Sequence, residues 1–240
     1  RGLQQDVLVV LRKYPKLAGQ YLQACLGYPD CPEQAERIAF REGYGYGDET
    51  VIAEAPAFPE QVWPKDLALI ETIQQEATVG RTCLVYFTQT GRRSPIPRVR
   101  RALETAGVDV SVLDASVPAE KREAWLQRNY RGGVLLTNGR LGETGLDLLF
   151  AHTIIQYGVE YSINSIRQST RRSWRLGQTK PIRVIYLAYR RTMQEAAMSL
   201  IARKMRAAEL LDGDEIGGLA HHDEGGADLL LEIAREAAVA

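Results

Sequence analysis

From residue 82 onward, short apolar runs alternate with segments of helical spacing, and this alternation restricts the fold more than any other feature. The apolar runs are 82–87, 108–113, 134–137, 153–157 and 182–189, and the intervening or following segments of helical spacing are 97–106, 118–129, 162–174 and 193–211. Strands and helices that alternate at these lengths are typical of a parallel sheet with helices on both faces. The sequence therefore predicts an α/β domain with a mainly parallel sheet.

The first 65 residues indicate a different organisation. Residues 1–40 have helical spacing with a break at 28–30, whereas 41–64 are rich in Gly and Pro and predict loops. Helical spacing returns over 66–79. We therefore expect a helical and loop extension over 1–65, the α/β domain over 66–212, and an acidic helical tail over 213–240. Since the first residue is Arg1 rather than Met, we expect a piece of a longer polypeptide.

Charges cancel over the whole chain but are segregated along it. Residues 161–206 contain eleven Lys or Arg and one acid, whereas 207–240 contain nine acids and one Arg. Such a basic block is suited to binding phosphate groups. A solvated face that the acidic tail neutralises is an equally good interpretation.

Composition also excludes several classes of protein. No run of about 18 apolar residues is present, so no membrane span is predicted. Cys25, Cys31 and Cys83 lack the spacing of a disulfide framework, which favours a reducing, cytoplasmic environment. Cys25 and Cys31 with His221 and His222 also lack zinc-binding spacing, so no metal site is predicted.

Residues 168–178, QSTRRSWRLGQ, form the most informative stretch. On a helix, Gln168, Arg172 and Arg175 recur on one face, whereas Arg171 points elsewhere. Guanidinium groups bind phosphate oxygens in a bidentate way, so this face is suited to a ligand with several negative oxygens. The alternative is that carboxylates of a neighbouring helix pair with the arginines, or that solvent covers them.

A glycine-containing loop follows the predicted strand 134–137. Ligands of open α/β sheets bind at the carboxyl ends of strands, where this loop begins. Gly142 and Gly145 permit close backbone approach, and the Thr137 hydroxyl with nearby amides could hold a phosphate. Asp147 could accept hydrogen bonds from a sugar hydroxyl. A tight turn without a ligand is the alternative interpretation.

Taken together, these stretches resemble the helicase motifs of Swi/Snf-like, superfamily 2 proteins. Residues 168–178 are similar to the sixth motif, 142–148 to the fifth and 84–89 to the fourth, and 179–184 and 192–195 also match the family. Their order and spacing agree with the family over about 66–212. The resemblance implies a RecA-like fold and the second motor lobe of an ATP-dependent DNA helicase or translocase.

The resemblance also implies individual roles. Arg172 and Arg175 correspond to arginine fingers that reach the γ-phosphate, and Gln168 would orient them or the attacking water. The residues expected near the nucleotide are Gly142, Gly145 and Asp147. The residues expected to hold the nucleic-acid backbone, which we take to be duplex DNA, are Thr88, Gln89 and Thr137.

Three departures from the family pattern indicate a divergent branch. Tyr161-Ser162-Ile163 replaces the usual Trp-Asn-Pro, an additional residue occurs near Arg140, and Arg171 stands where an acid is common. We interpret the branch as bacterial, from a mobile element or defence system. We expect the protein to be cytoplasmic and associated with the nucleoid. The exact DNA contacts therefore differ from the family pattern, whereas Arg172 and Arg175 are retained.

Two elements of an ATPase site do not occur in the 240 residues: a Gly-x-x-x-x-Gly-Lys-[Ser/Thr] loop, and an Asp-Glu pair that ends an apolar strand. The resemblance assigns both to a first lobe of the same polypeptide, which binds ATP and Mg²⁺. We therefore expect this chain alone to be inactive. One alternative is a non-catalytic module that binds nucleic acid or a partner. Another is a dinucleotide or nucleotide-sugar enzyme, although residues 87–91 do not supply its Gly-x-Gly-x-x-Gly.

Overall fold

The computed structural model describes residues 15–41, 49–139, 146, 148–159, 173, 178 and 180–212. The chain divides into two compact units. The sheet unit comprises residues 60–188, and the helix–hairpin unit comprises the described residues before 60 and after 188. The domain boundaries expected at 65 and 212 stay a prediction.

The elements of both units are listed here in chain order. They are α1 (Pro15–Gly27), β1 (Glu36–Arg41), β2 (Glu49–Ala55), α2 (Pro64–Thr78), β3 (Cys83–Phe87), α3 (Ile96–Thr105), β4 (Val110–Leu113), α4 (Arg122–Asn129), β5 (Val134–Asn138), β6 (Thr153–Gln156), β7 (Arg183–Tyr186) and α5 (Met193–Asp212). Short 3-10 helices occur at Tyr28–Asp30, Gly91–Arg93 and Ala119–Lys121.

The sheet unit contains a five-stranded parallel sheet with the spatial order β4-β5-β3-β6-β7. Alternate residues of β3 face opposite sides of the sheet, as the pleat requires. On one side, Val85 and Phe87 pack with Leu69 of α2 and Leu103 of α3. On the other side, Leu84 and Tyr86 pack with Leu126 of α4. The predicted α/β fold with a parallel sheet and helices on both faces is confirmed.

The turn that ends α2 positions the amino end of β3. Gly80 adopts a φ of 66°, in the left-handed region that glycine reaches without a steric penalty. Its N–H donates to Ala77 O at 3.0 Å, and the N–H of Arg81 donates to Glu76 O at 3.0 Å. These two bonds satisfy carbonyls at the end of the helix and turn the chain directly into β3.

The helix–hairpin unit differs from the sequence-based prediction. We expected helix over 1–40 and loops over 41–64, but 36–41 and 49–55 form an antiparallel strand pair, with Glu36 opposite Ala55 and Arg41 opposite Glu49. Ile38 of β1 is buried with Leu17 of α1. Strand pairing depends on contacts with a second segment of the chain, so the residue spacing within one segment did not reveal it. The predicted helix over 1–40 is therefore wrong after residue 30.

A buried glutamine holds this unit together. Gln194, in the first turn of α5, has no exposed surface. Its Nε2 donates to Leu26 O at 2.7 Å and to Asp30 Oδ1 at 3.0 Å, and its Oε1 accepts from the Tyr189 N–H at 3.2 Å. The amide thereby fixes the end of α1 to the beginning of α5. In the described part of the chain, no helix combines the length and the apolar character needed to cross a membrane.

Candidate functional site

Three neighbouring strands bring their carboxyl ends together at one edge of the sheet. Thr88 and Gln89 follow β3, Asn138 ends β5, and Gly158 lies just after β6. The Asn138 Nδ2 donates to Phe87 O at 2.9 Å, which ties the ends of β3 and β5 together. Thr88 and Gln89 are partly exposed. We call this the carboxyl edge. Its exposed side chains can contact a ligand.

The position of Thr88 depends on a close approach by Gly158. A Cβ atom on Gly158 would overlap the Thr88 Oγ1 and would lie only 3.1 Å from the Thr88 Cβ. A side chain at position 158 would therefore force the Thr88 side chain to move, so glycine suits the observed spacing. The loop after β3 and the chain after β6 are in direct contact as a result.

Tyr157, the residue before Gly158, is anchored by buried charged groups of α2 and α3. Its hydroxyl donates to Asp66 Oδ1 at 2.7 Å, while Arg98 Nη1 pairs with Asp66 Oδ2 at 2.5 Å. Lys65 Nζ donates to the Tyr157 carbonyl at 3.0 Å. All four residues are at most 5% exposed. Because buried charges are tolerated when they are paired and hydrogen-bonded, this network holds the end of β6 rigidly.

Thr137, which we expected to hold the nucleic-acid backbone, faces the protein interior. The residue is 2% exposed, and its hydroxyl donates to Leu113 O at 2.9 Å. The bond joins β5 to the neighbouring strand β4. The hydroxyl proton is donated within the protein, so Thr137 stabilises the pairing of β4 and β5 at the carboxyl edge.

The remaining predicted site residues lie outside the described residues: Gln168, Arg172, Arg175, Gly142, Gly145 and Asp147. The strands before and after them are nevertheless described. Residues 139–152 connect the carboxyl end of β5 to β6, and 157–182 connect the carboxyl end of β6 to β7. Both connections therefore start at the edge that carries Thr88 and Gln89.

A second buried network lies at the opposite edge, where the strands begin. Glu76, at the end of α2, is 3% exposed and accepts from Arg81 Nε at 2.8 Å. The Thr153 hydroxyl and the Arg183 guanidinium donate to the same carboxylate. Burial by itself raises the pKa of Glu76, but the Thr153 hydrogen bond and then the charge and hydrogen bond of Arg183, with that of Arg81, outweigh it and lower the pKa.

We expect Glu76 to make stability depend on pH. A carboxyl group whose pKa is lower in the folded than in the unfolded state contributes stability above its unfolded value, here 4.5, and loses it as pH falls through the folded value. The difference in unfolding free energy between the wild type and Glu76→Gln should thus shrink on acidification. Urea unfolding of both proteins at about pH 7 and about pH 3.5 measures it. An equal difference at both pH values would contradict the assignment.

His152 lies at this same edge, where its ring contacts Thr82 just before β3. Its Nδ1 is 3.1 Å from the Thr82 hydroxyl. Burial, followed by the charges of Lys180 and Arg81, lowers the pKa of His152, which favours the neutral imidazole. These contacts are those of a packing residue.

The buried charges of α2 were not predicted, although the sequence carries a sign of them. Asp66, Leu69, Ile73 and Glu76 are spaced by three, four and three residues, which puts the two acids on the apolar face of the helix. An acid on such a face must find a buried partner. The identity of the partners, on α3, β6 and β7, depends on the tertiary fold.

Comparison with known proteins identifies the sheet unit. The family model of the helicase conserved C-terminal domain matches residues 65–177. The chain is 28% identical over 145 residues to Chromodomain-helicase-DNA-binding protein 1-like of Danio rerio, a match of 60% of this chain and 14% of the relative. It is 29% identical over 178 residues to the Transcriptional regulator ATRX homolog of Drosophila melanogaster, covering 64% and 14%.

Another relative is the Chromatin-remodeling ATPase INO80 of Candida albicans, 30% identical over 106 residues that cover 42% of this chain and 8% of the relative. The chain thus spans only a small part of the curated relatives that it matches. Among solved structures, the C-terminal part of the Fun30 ATPase domain has a similar fold, with a TM-score of 0.58, 16% identity, and coverage of 76% of this chain and 56% of that one. The motifs, the parallel sheet and these matches agree: residues 65–177 match the helicase conserved C-terminal domain, and the chain is similar to the second RecA-like lobe of Swi/Snf-like ATPases.

Proposed function

We propose that the full-length parent is an ATP-driven motor that moves along duplex DNA, and that this chain is its second lobe. Arg172 and Arg175 would reach the γ-phosphate of ATP bound on the first lobe, with Gln168 orienting them or the attacking water. Gly142, Gly145 and Asp147 would lie near the nucleotide. ATP and Mg²⁺ would be held mainly by the first lobe, so the isolated chain should not hydrolyse ATP.

One observation carries this proposal: the three motif-bearing segments leave the sheet at the same edge. The fourth motif, residues 84–89, runs through β3 and ends just after it, and the segments with the fifth and sixth motifs begin at the carboxyl ends of β5 and β6, the two strands beside β3. Ligands of open α/β sheets bind at that edge. The common origin supports a single site built from all three segments.

The nucleic-acid track would begin with the residues after β3. Thr88 and Gln89 are partly exposed, and the exposed Arg92 follows them in a short 3-10 helix. Hydroxyl, amide and guanidinium groups are common partners of the phosphate backbone and carry little sequence information. Contacts of this kind are suited to a motor that tracks DNA of any sequence. The Thr137 hydroxyl would contribute by supporting this edge, given its bond to Leu113 O.

The proposal is tested by steady-state ATP hydrolysis of the full-length parent, with and without duplex DNA, beside the isolated 240-residue chain. We expect hydrolysis that duplex DNA stimulates in the parent and none in the chain. A parent that binds DNA but does not hydrolyse ATP would instead support a non-catalytic nucleic-acid-binding module. Hydrolysis that duplex DNA leaves unchanged would count against the DNA motor. A bacterial, nucleoid-associated setting is a separate prediction, which localisation of the tagged parent would test.

A further inference from the structure

The side chain of Gln178 joins two segments that are distant in sequence. Its Nε2 donates to the backbone carbonyls of Leu149 and Ser173, each at 3.0 Å. Its Oε1 accepts from the Lys180 N–H at 3.1 Å. Both N–H groups and the oxygen of this partly buried amide are therefore used.

The two bonded carbonyls belong to the connections that carry the fifth and sixth motifs. Leu149 follows Asp147 by two residues, and Ser173 lies between Arg172 and Arg175 in the sequence. Ser173 has no exposed surface, so its backbone is held inside the sheet unit. Neither Leu149 nor Ser173 lies in a strand, so no ladder of backbone hydrogen bonds fixes their separation.

One planar amide can set that separation. Two carbonyl oxygens repel each other unless a donor lies between them, and the two N–H groups of Gln178 supply that donor. The orientation of the amide is fixed, because a flip would turn Oε1 toward the carbonyls and leave Lys180 N–H without an acceptor. Lys180 is itself anchored, since its Nζ donates to Gly80 O at 2.8 Å, just after α2.

We propose that Gln178 is a positioning residue for ATP hydrolysis, which sets the spacing between the segment that carries Asp147 and the segment that carries Arg172 and Arg175. The inference rests on the proposed function, because that function places both segments at the same ATP site. Gln178 acts through the backbone carbonyls and does not touch the nucleotide. Loss of the amide should leave ATP bound but the arginine segment displaced from its catalytic position.

The test is a double-mutant cycle in the full-length parent, measured as DNA-stimulated ATP hydrolysis. Gln178→Ala should lower kcat by about 10-fold to 100-fold and change KM for ATP little, because small displacements of catalytic groups cost about this much in rate. In the Arg175→Ala background, the same substitution should change kcat by less than about twofold, since an arginine that is absent cannot be displaced. Gln75→Ala is the matched control, because the Gln75 amide bonds Glu71 at the surface and should not affect the rate.

The outcomes separate this inference from the proposed function. A wild-type parent without DNA-stimulated hydrolysis contradicts the proposed function itself. If the wild type is active, two results overturn the inference alone: an unchanged kcat in Gln178→Ala, or equal losses in both backgrounds. A Gln178→Ala parent that fails to fold or to bind ATP also overturns it, because the amide would then stabilise the whole unit. Thermal unfolding and nucleotide binding of each variant are therefore recorded with the rates.

Discussion

In the full-length parent, Arg175→Ala is expected to lower the DNA-stimulated rate of ATP hydrolysis by about 10³-fold or more, the range found for arginine fingers in other phosphoryl-transfer enzymes. The guanidinium would stabilise charge that develops on the γ-phosphoryl oxygens in the transition state, more than it stabilises bound ATP. Binding of ATP should therefore change little. Steady-state rates together with equilibrium binding of a labelled nucleotide measure the two effects separately.

Arg171→Ala is the matched control for this experiment. Arg171 has the same side chain but points away from the face shared by Gln168, Arg172 and Arg175 if the segment is helical. Its removal should leave the hydrolysis rate nearly unchanged. Equal losses for Arg171→Ala and Arg175→Ala would indicate that the segment binds phosphate only through its overall positive charge. Full activity of Arg175→Ala would exclude the arginine-finger role.

The second large effect is expected for stability. Asp66→Ala should lower the free energy of unfolding by about 3–5 kcal/mol, the range observed when one partner of a buried ion pair is removed. The substitution leaves the Arg98 guanidinium and the Tyr157 hydroxyl without the carboxylate that they now contact, in a region where the Arg98 side chain is only 6% exposed. It also removes the acceptor of the Trp63 N–H at the beginning of α2, at 2.8 Å. Urea unfolding of the chain measures the loss.

Glu60→Ala provides the comparison for an exposed ion pair. Glu60 pairs with Arg101 at 2.5 Å, but both side chains are more than half exposed, at 52% and 56%. Exposed pairs contribute about 0–1 kcal/mol, because water screens the charges and both side chains lose entropy. A loss for Asp66→Ala no greater than that for Glu60→Ala would show that the Asp66 network does not hold the edge of the sheet.

The Asp66 network also bears on function, because it fixes Tyr157 next to Gly158. Gly158 in turn contacts Thr88, the first residue of the proposed nucleic-acid track. When the edge is rigid, its side chains lose less conformational entropy on binding a ligand. The stability of α2 and α3 against β6 and the geometry of the carboxyl edge therefore have the same physical origin.

Local patterns were sufficient for most elements of the sheet unit. The strand Cys83–Phe87 and the helix Pro64–Thr78 lie within two residues of the predicted bounds, because a continuous apolar run and a 3.6-residue apolar spacing are directly visible in the sequence. The predicted helix over 162–174 lies outside the described residues apart from Ser173. The strand pair at 36–41 and 49–55 was missed, since each strand forms only by pairing with the other and residue spacing within one segment does not show the pairing.

The sequence by itself determined the class of fold, the family resemblance and the positions of the motifs, because apolar periodicity and motif residues are local properties of the chain. Only the tertiary structure decided which polar side chains are buried and what they bond. Thr137 has the residue type of a phosphate ligand, yet its hydroxyl bonds Leu113 O in the interior. Asp66 and Gln178 have residue types common on surfaces, yet they join segments that are tens of residues apart. Burial and hydrogen-bond partners depend on contacts between distant segments, and these exist only after the sheet and its helices have packed.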